Sequence, residues 1–162
     1  MKIALVAVLL FTSVGAAAHG PDHHHEGVGK KAERLSTGIL HEVKGEYESQ
    51  VEPVFKAKCF DCHSSSTKYP WYHKLPIAGR IMESHIAKGR SHLDMSKGFP
   101  FVGHGGARGD LKEIIRVVEG DVMPPWYYTP FHSASKLTKF EKQRVLSWAR
   151  SSLSKLENQK RQ

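Results

Sequence analysis

Residues 59–63 read Cys59-Phe60-Asp61-Cys62-His63, and this stretch decides what kind of domain the chain can form. Two cysteines separated by two residues and followed at once by histidine make the C-x-x-C-H attachment sequence of c-type haem. The thiols lie about one helical turn apart, so each can form a thioether with one haem vinyl group. His63 then lies under the porphyrin, where its imidazole can bind iron.

Three other interpretations of the cysteine pair are weaker. A structural zinc site needs four ligands, usually from two such pairs, and the chain contains only these two cysteines. A thioredoxin-like redox pair belongs in a βαβ unit, which the hydrophobic pattern does not indicate. A disulfide across two intervening residues would close too small a loop to stabilise the fold much. The motif therefore predicts one covalent haem c, bound by Cys59, Cys62 and His63.

The N-terminal residues have the pattern of a secretory signal peptide over residues 1–18. Lys2 gives a minimal positive start, an apolar run covers 3–11, and Ala16-Ala17-Ala18 is a small-residue cleavage site. The apolar run is shorter than the roughly 20 residues of a membrane span, and an uncleaved anchor is the alternative. We therefore expect an exported, periplasmic protein with no membrane span after cleavage.

The chain is basic, with 24 Lys and Arg against 16 Asp and Glu and a formal net charge of +8 at pH 7. This surplus favours docking to acidic redox partner proteins or to an anionic surface, although it could equally serve solubility alone. No basic stripe with interleaved aromatic residues is present, so we do not expect nucleic-acid binding.

Composition divides the chain into four parts. The signal peptide is followed by a polar lead and linker at 19–48, which contains three histidines in a row. We interpret this segment as flexible, with copper or zinc binding as the alternative. The haem-binding domain is expected at 49–156, and a charged tail at 157–162.

Apolar periodicity predicts an all-α fold. Gly89 and Gly120 are expected to stop the helices that precede them, and residues 90–109 are expected to form a loop. No alternation of apolar and polar residues predicts a strand. The expected helices lead into Cys59, span 76–88 and 110–119, and begin at the capping box of Thr138 and Glu141.

The sixth iron ligand separates electron carriers from haem proteins that bind ligands or catalyse reactions. Met123 is the best candidate, because two prolines follow it and restrict the backbone of its loop. The alternative is that Met123 fills a gap in the core. Weaker candidates are Met82, Met95, His85, His104 and His132.

Aromatic and basic residues are candidates for the remainder of the haem pocket. Tryptophan and tyrosine can bury a ring and still donate a hydrogen bond, and arginine can pair with propionate carboxylates. For the arginines, plain surface exposure is the alternative. The candidates are Trp71, Trp126, Tyr127, Tyr128, Arg80 and Arg90.

Several motifs follow one another in a specific order: Cys59 to Ser64, Tyr69-Pro70-Trp71-Tyr72, Gly89-Arg90-Ser91-His92-Leu93, Met123-Pro124, Tyr128 and His132. In this order they resemble the bacterial haem-binding domain proteins, which are small exported monohaem c-type cytochromes with C-x-D-C-H-S and P-W-Y signatures. The resemblance covers roughly residues 50–153. It implies haem c binding by Cys59, Cys62 and His63 on a cytochrome c-like small helical domain wrapped around one covalent haem. It also implies that the Met-Pro segment lies on the distal side.

The chain departs from this family pattern at two places. Serine follows Ser64 where the family usually has asparagine, so the hydrogen bonding of that loop is expected to differ. The glycine-rich insert at 98–109 is longer than is typical.

We therefore expect an exported monohaem c-type cytochrome that binds haem and transfers one electron between redox partners, without enzymatic activity. The alternative is a peroxidase-like haem enzyme, or a gas or redox sensor, with an open sixth coordination site. No nucleophile with an adjacent base has a visible signature in the sequence.

Overall fold

In the computed structural model, which describes residues 36–159, the first helix begins where the Ser36 hydroxyl accepts a hydrogen bond from the Ile39 amide. This helix, α1 (Thr37–Glu46), continues through a π-helical turn (Tyr47–Val51) into α2 (Glu52–Lys58). Val43 and Tyr47 are fully buried. The packed core therefore extends N-terminal to residue 49, where the domain was expected to start. The predicted signal peptide and most of the His-rich lead lie outside the described residues.

The predicted all-α class is confirmed. The remaining elements are α3 (Phe60–His63), a 3₁₀ turn (Trp71–Lys74), α4 (Pro76–His92), β1 (Leu93–Asp94), β2 (Val102–Gly103), α5 (Gly106–Glu119), a second 3₁₀ turn (Ser133–Ser135) and α6 (Lys139–Asn158). The two strands pair antiparallel, with Leu93 opposite Gly103. Strands of two residues are too short to produce an alternating pattern, which is why the sequence did not predict them.

Helices α5 and α6 form the largest helix contact in the described part of the chain. The predicted periodicity of α5 is confirmed, since Leu111, Ile114 and Val118 are buried. The predicted capping box of α6 is also confirmed: the Glu141 amide donates to the Thr138 hydroxyl (3.2 Å), and the Thr138 amide donates to the Glu141 carboxylate (2.7 Å).

Two predicted boundaries were wrong, both because of glycine. Helix α5 begins at Gly106 rather than at residue 110, and α4 continues through Gly89 to His92. Glycine has low helix propensity, so both glycines were taken as signs of a loop or a stop. Burial of Ala107 and Leu111 stabilises the first turn of α5, and packing rather than propensity decides the helix.

An aromatic core joins α2, the π-helical turn, α6 and the segment between the strands. Tyr47 lies 5.3 Å from Phe101 and 5.6 Å from Trp148, measured between ring centroids. Phe99 meets Trp148 edge-on at 5.7 Å, an arrangement that aromatic pairs prefer. Between residues 36 and 159, no helix combines the length and apolar character needed to cross a bilayer.

Replacing Leu111 with alanine should lower the free energy of unfolding by about 2–5 kcal/mol, because it leaves a cavity between α5 and the core. Leu111 is 0% exposed. Denaturant titration of purified protein measures the change. The matched control is Lys112→Ala on the same helix, which removes an exposed ion pair with Glu157 and should change stability by less than about 1 kcal/mol. Equal effects of the two substitutions would contradict this packing.

Candidate functional site

Helix geometry places the two thiols and the following imidazole on a single turn. Cys59 ends α2 by donating its amide to the Phe55 carbonyl oxygen at 2.8 Å. The amides of Cys62 and His63 both donate to the Cys59 carbonyl oxygen, at 3.1 and 3.0 Å. Both cysteines are free thiols and partly buried. Two sulfur atoms one turn apart are therefore available to a covalently bound group.

A backbone hydrogen bond orients the His63 imidazole. Its Nδ1 lies 2.9 Å from the carbonyl oxygen of Leu93, the first residue of β1. Because a carbonyl oxygen only accepts, Nδ1 carries the proton and Nε2 keeps its lone pair. Histidines that bind metals are usually fixed in this way, through the nitrogen that does not bind the metal. Burial also lowers the pKa of His63, which favours the neutral imidazole that can bind iron.

The segment after α4 is attached to the motif at two further points. The Met95 amide donates to the His63 carbonyl oxygen at 2.7 Å, and the Ser65 amide donates to the Ser96 hydroxyl at 2.8 Å. Together with the Leu93 bond, these contacts hold the backbone around His63 against β1.

The surroundings of the thiols are unlike those of a reactive cysteine pair. Burial raises the pKa of Cys59 to about 12 and also raises the pKa of Cys62. Redox and catalytic cysteines have lowered pKa values, because the thiolate is the nucleophile. Both thiols are therefore protonated at neutral pH, which does not fit a thioredoxin-like pair.

Gly89 allows α4 to pack directly on the attachment motif. A Cβ atom at this position would lie 2.7 Å from the Cys62 carbonyl oxygen and 3.6 Å from the Cys62 Cβ. Only a residue without a side chain permits this approach. The sequence contained no sign of this contact, because Gly89 follows the predicted helix at 76–88, where a glycine usually marks the helix end.

The polar loop after α3 folds back onto the motif. The buried Ser64 hydroxyl donates to the Phe60 carbonyl oxygen (2.9 Å) and accepts from the Ser66 amide (3.0 Å). The Thr67 hydroxyl donates to the Asp61 carbonyl oxygen (2.9 Å), and the Lys68 amide donates to the Asp61 carboxylate (3.0 Å). Serine and threonine commonly make such local bonds, but the sequence did not show which ones form here.

Four side chains, Trp71, Tyr72, Tyr128 and His132, form what we call the aromatic cluster. The Tyr72 hydroxyl lies 2.5 Å from His132 Nε2. The Tyr128 and His132 rings are stacked, with centroids 3.9 Å apart and planes 4° from parallel. Burial, followed by the charges of Cys62 and Asp61, raises the pKa of Tyr128 to about 12. The predicted pocket residue Tyr128 is therefore close to the motif.

The predicted sixth ligand Met123 is 41% exposed and precedes a cis Met123–Pro124 peptide. Its side chain is not among the buried residues of the core, so the packing alternative has no support. Met95 is buried, whereas Met82 is half-buried on α4.

The histidine alternatives lie in different surroundings. His85 is exposed on α4, and its ring lies 5.5 Å from that of Tyr127. His104 is exposed beside His92, with ring centroids 5.8 Å apart. His132 belongs to the aromatic cluster, where Tyr72 occupies its Nε2. In the part of the chain that the structure describes, no group of three or more His, Cys, Asp or Glu side chains could bind a metal ion.

The two predicted arginines differ. Arg90 forms a two-pronged ion pair with Asp94, with Nε and Nη2 at 3.0 and 2.8 Å from one carboxylate oxygen. Arg80 is exposed on α4 and is the better candidate for a propionate.

Two segments near the motif expose large apolar side chains. One consists of the first 3₁₀ turn together with α4, and the other is residues 122–131. Trp71 is 77% exposed and Trp126 is 83% exposed. Exposed apolar surface of this kind marks a binding site. With two free thiols and an oriented imidazole beside it, this surface fits the apolar body of a haem. The other members are Tyr69, Leu75, Ile77, Ile81, Val122, Met123, Tyr127 and Phe131.

Comparisons with known proteins agree with this chemistry. The family described as "Haem-binding domain" matches residues 28–151. Cytochrome c peroxidase Ccp of Escherichia coli (strain K12) is 29% identical over 92 residues, which are 56% of this chain and 20% of that protein. The chain thus spans only a small part of the length of this relative. No solved structure gives a significant match.

Replacing Gly89 with alanine should push α4 away from the Cys62 carbonyl, which is backbone and cannot swing aside. We expect a loss of about 1–3 kcal/mol in stability and less haem bound per protein, measured by denaturant titration and by the ratio of haem to protein absorbance. The matched control is Gly45→Ala on α1, where a new Cβ meets nothing within 4 Å. That change should stabilise the helix by about 0.5–1 kcal/mol. Unchanged haem content and stability in Gly89→Ala would refute the close-contact role.

Proposed function

The chain belongs to the haem-binding domain family, and we propose that it is an exported monohaem c-type cytochrome that passes one electron at a time between redox partners. The observation that carries the proposal is the geometry of residues 59–63. Two free thiols share one turn, and the imidazole next to them is bound through Nδ1 to Leu93, which leaves Nε2 for iron.

The proposed attachment uses both cysteines. The sulfur of Cys59 and that of Cys62 each form one bond to a vinyl carbon, and each thiol hydrogen goes to the other vinyl carbon, so no oxidant is needed. His63 supplies the fifth ligand through Nε2. When bound, the haem supplies an iron that gains or loses one electron. The protein adjusts the potential through the axial ligands and the burial of the group.

Met123 is the proposed sixth ligand. Its thioether is partly exposed in a segment that leads into Trp126 and Tyr128, and the hydrogen bond between Tyr72 and His132 joins the loop that follows this segment to the first 3₁₀ turn. A methionine ligand raises the reduction potential and closes the iron to small molecules, as an electron carrier requires. Trp71, Trp126 and Tyr128 are proposed as pocket walls, and Arg80 as a partner of a propionate.

Acidic redox proteins are the proposed partners, because the chain carries a formal net charge of +8. Attraction between opposite charges raises the rate of association. The apolar run and alanine-rich site at residues 1–18 support export to the periplasm. No enzymatic step is assigned to any residue.

A peroxidase-like enzyme is the second candidate, and a gas or redox sensor is closely related to it. The observation in its favour is the 29% identity to a cytochrome c peroxidase. Both roles need an open or easily opened sixth site, where peroxide or a gas can reach the iron.

Covalent attachment predicts that pigment stays with the protein in acidic organic solvent. The intact mass should equal one haem plus the chain from His19, because residues 1–18 are removed. Cys59→Ala combined with Cys62→Ala should release all pigment, and each single change should leave one thioether. Ser65→Ala, an exposed neighbour, is the control and should keep its haem. Release of pigment from the unchanged protein would contradict covalent attachment.

Ligation by Met123 predicts that Met123→Ala loses the weak red absorption of sulfur-to-iron charge transfer in the ferric state. The ferrous variant should then bind carbon monoxide, which the unchanged protein should not. The control is Met82→Leu, at a half-buried position on α4, and this variant should keep the band. Rapid and full carbon monoxide binding by the unchanged protein would favour the peroxidase or sensor role instead.

A further inference from the structure

The side chain of Lys58 is held in a way that is uncommon for lysine. Lys58 is the last residue of α2 and directly precedes Cys59. Only 15% of its side chain is exposed, although the charged end of a lysine normally stays in water. Its Nζ donates to the Ala134 carbonyl oxygen at 2.6 Å and lies 3.6 Å from a carboxylate oxygen of Glu141. The residue next to the first thiol therefore binds a part of the chain that is 76 residues away.

Lys58 binds the C-terminal end of a segment, residues 121–135, which we call the strap. The strap ends in the second 3₁₀ turn, where the amide and the hydroxyl of Ser135 both donate to the His132 carbonyl oxygen, at 2.9 and 2.7 Å. The His132 side chain reaches the first 3₁₀ turn, since its Nε2 lies 2.5 Å from the Tyr72 hydroxyl. Two side chains from outside the strap, Lys58 and Tyr72, therefore hold this end of it.

The other end of the strap is attached to α5 and α6. The Asp121 carboxylate lies 2.7 Å from Lys142 Nζ, and the Val122 amide donates to the Val117 carbonyl oxygen at 2.9 Å. Met123, the proposed sixth ligand, comes next in the chain and is 41% exposed. A segment that is held at both ends has fewer accessible conformations than one that is held at a single end. Contacts at both ends of the strap therefore restrict where the thioether can lie.

We propose, on the basis of the Met123 ligation proposed above, that Lys58 and Tyr72 are positioning residues for the sixth ligand. Lys58 attaches the strap to the helix that leads into Cys59, and Tyr72 attaches it to the first 3₁₀ turn. Neither side chain binds the iron, and both act by reducing the freedom of the strap. Without them, more conformational entropy is lost when the Met123 thioether binds the iron. An external ligand then displaces Met123 more easily.

The test uses the mature, haem-loaded ferric protein and imidazole, which must displace the sixth ligand to bind the iron. Lys58→Met should raise the affinity for imidazole by about tenfold, or about 1.4 kcal/mol, because a hydrogen bond from a charged group commonly contributes at least that much. Tyr72→Phe, which keeps the ring and removes only the hydroxyl, should change the affinity in the same direction. The matched control is Lys56→Met on the same helix, which removes an exposed ion pair with Glu52 and should leave the affinity unchanged.

The same substitution in the Met123→Ala protein shows whether the effect passes through the sixth ligand. No thioether is displaced in that protein, so adding Lys58→Met should not change its affinity for imidazole, and the two substitutions should be strongly non-additive. An equal increase with and without Met123 would overturn the positioning role, because Lys58 would then act on the haem attachment instead. Unchanged affinity in both Lys58→Met and Tyr72→Phe would also overturn it.

Hydrogen–deuterium exchange of the strap gives a readout that does not depend on the iron. The Ser135 amide, which donates to the His132 carbonyl oxygen, should exchange faster in Lys58→Met than in Lys56→Met. Equal exchange in these two variants would show that Lys58 does not restrict the strap, and the proposal would fail while ligation by Met123 stands. Retention of the red charge-transfer band in Met123→Ala would instead refute ligation by Met123, and the positioning role with it.

Discussion

The hydrogen bond between His63 Nδ1 and the Leu93 carbonyl oxygen is the interaction on which the candidate site depends. It joins the attachment motif to the end of α4, and it can form only if that helix packs closely enough on Cys62, which Gly89 permits. Leu93 in turn pairs with Gly103, so the imidazole is tied through the small sheet to the start of α5. The net free energy of one such bond is only about 1 kcal/mol, but the bond determines that Nε2 is the nitrogen left with a lone pair for a metal.

The parts of the site that the sequence revealed are the local ones. Cys59, Cys62 and His63 lie within one helical turn, so a motif of five residues determines how the two thiols and the imidazole are arranged. The apolar face of α5 and the capping box of α6 are equally local, and both were predicted correctly. In each case the interacting residues are three or four positions apart, where helix geometry alone sets the distance.

The parts that the sequence did not reveal depend on partners far apart in the chain. His63 and Leu93 are 30 residues apart, and Tyr72 and His132 are 60 apart. No periodicity specifies such pairs. Gly89 was misread for the same reason, because its role is set by a backbone atom on another helix rather than by its neighbours in α4. Its helix-weakening effect was visible in the sequence, but the contact that compensates for it was not.

The raised pKa values of Cys59 and Cys62 affect how readily the two free thiols are oxidised before a cofactor is bound. Disulfide formation and sulfenic acid formation both begin from a thiolate, and burial keeps these sulfurs protonated. Two cysteines one turn apart would otherwise be prone to oxidise each other in a compartment where disulfides are made. For an exported chain that attaches haem covalently, as proposed, this protonation would slow a side reaction that consumes the thiols needed for attachment.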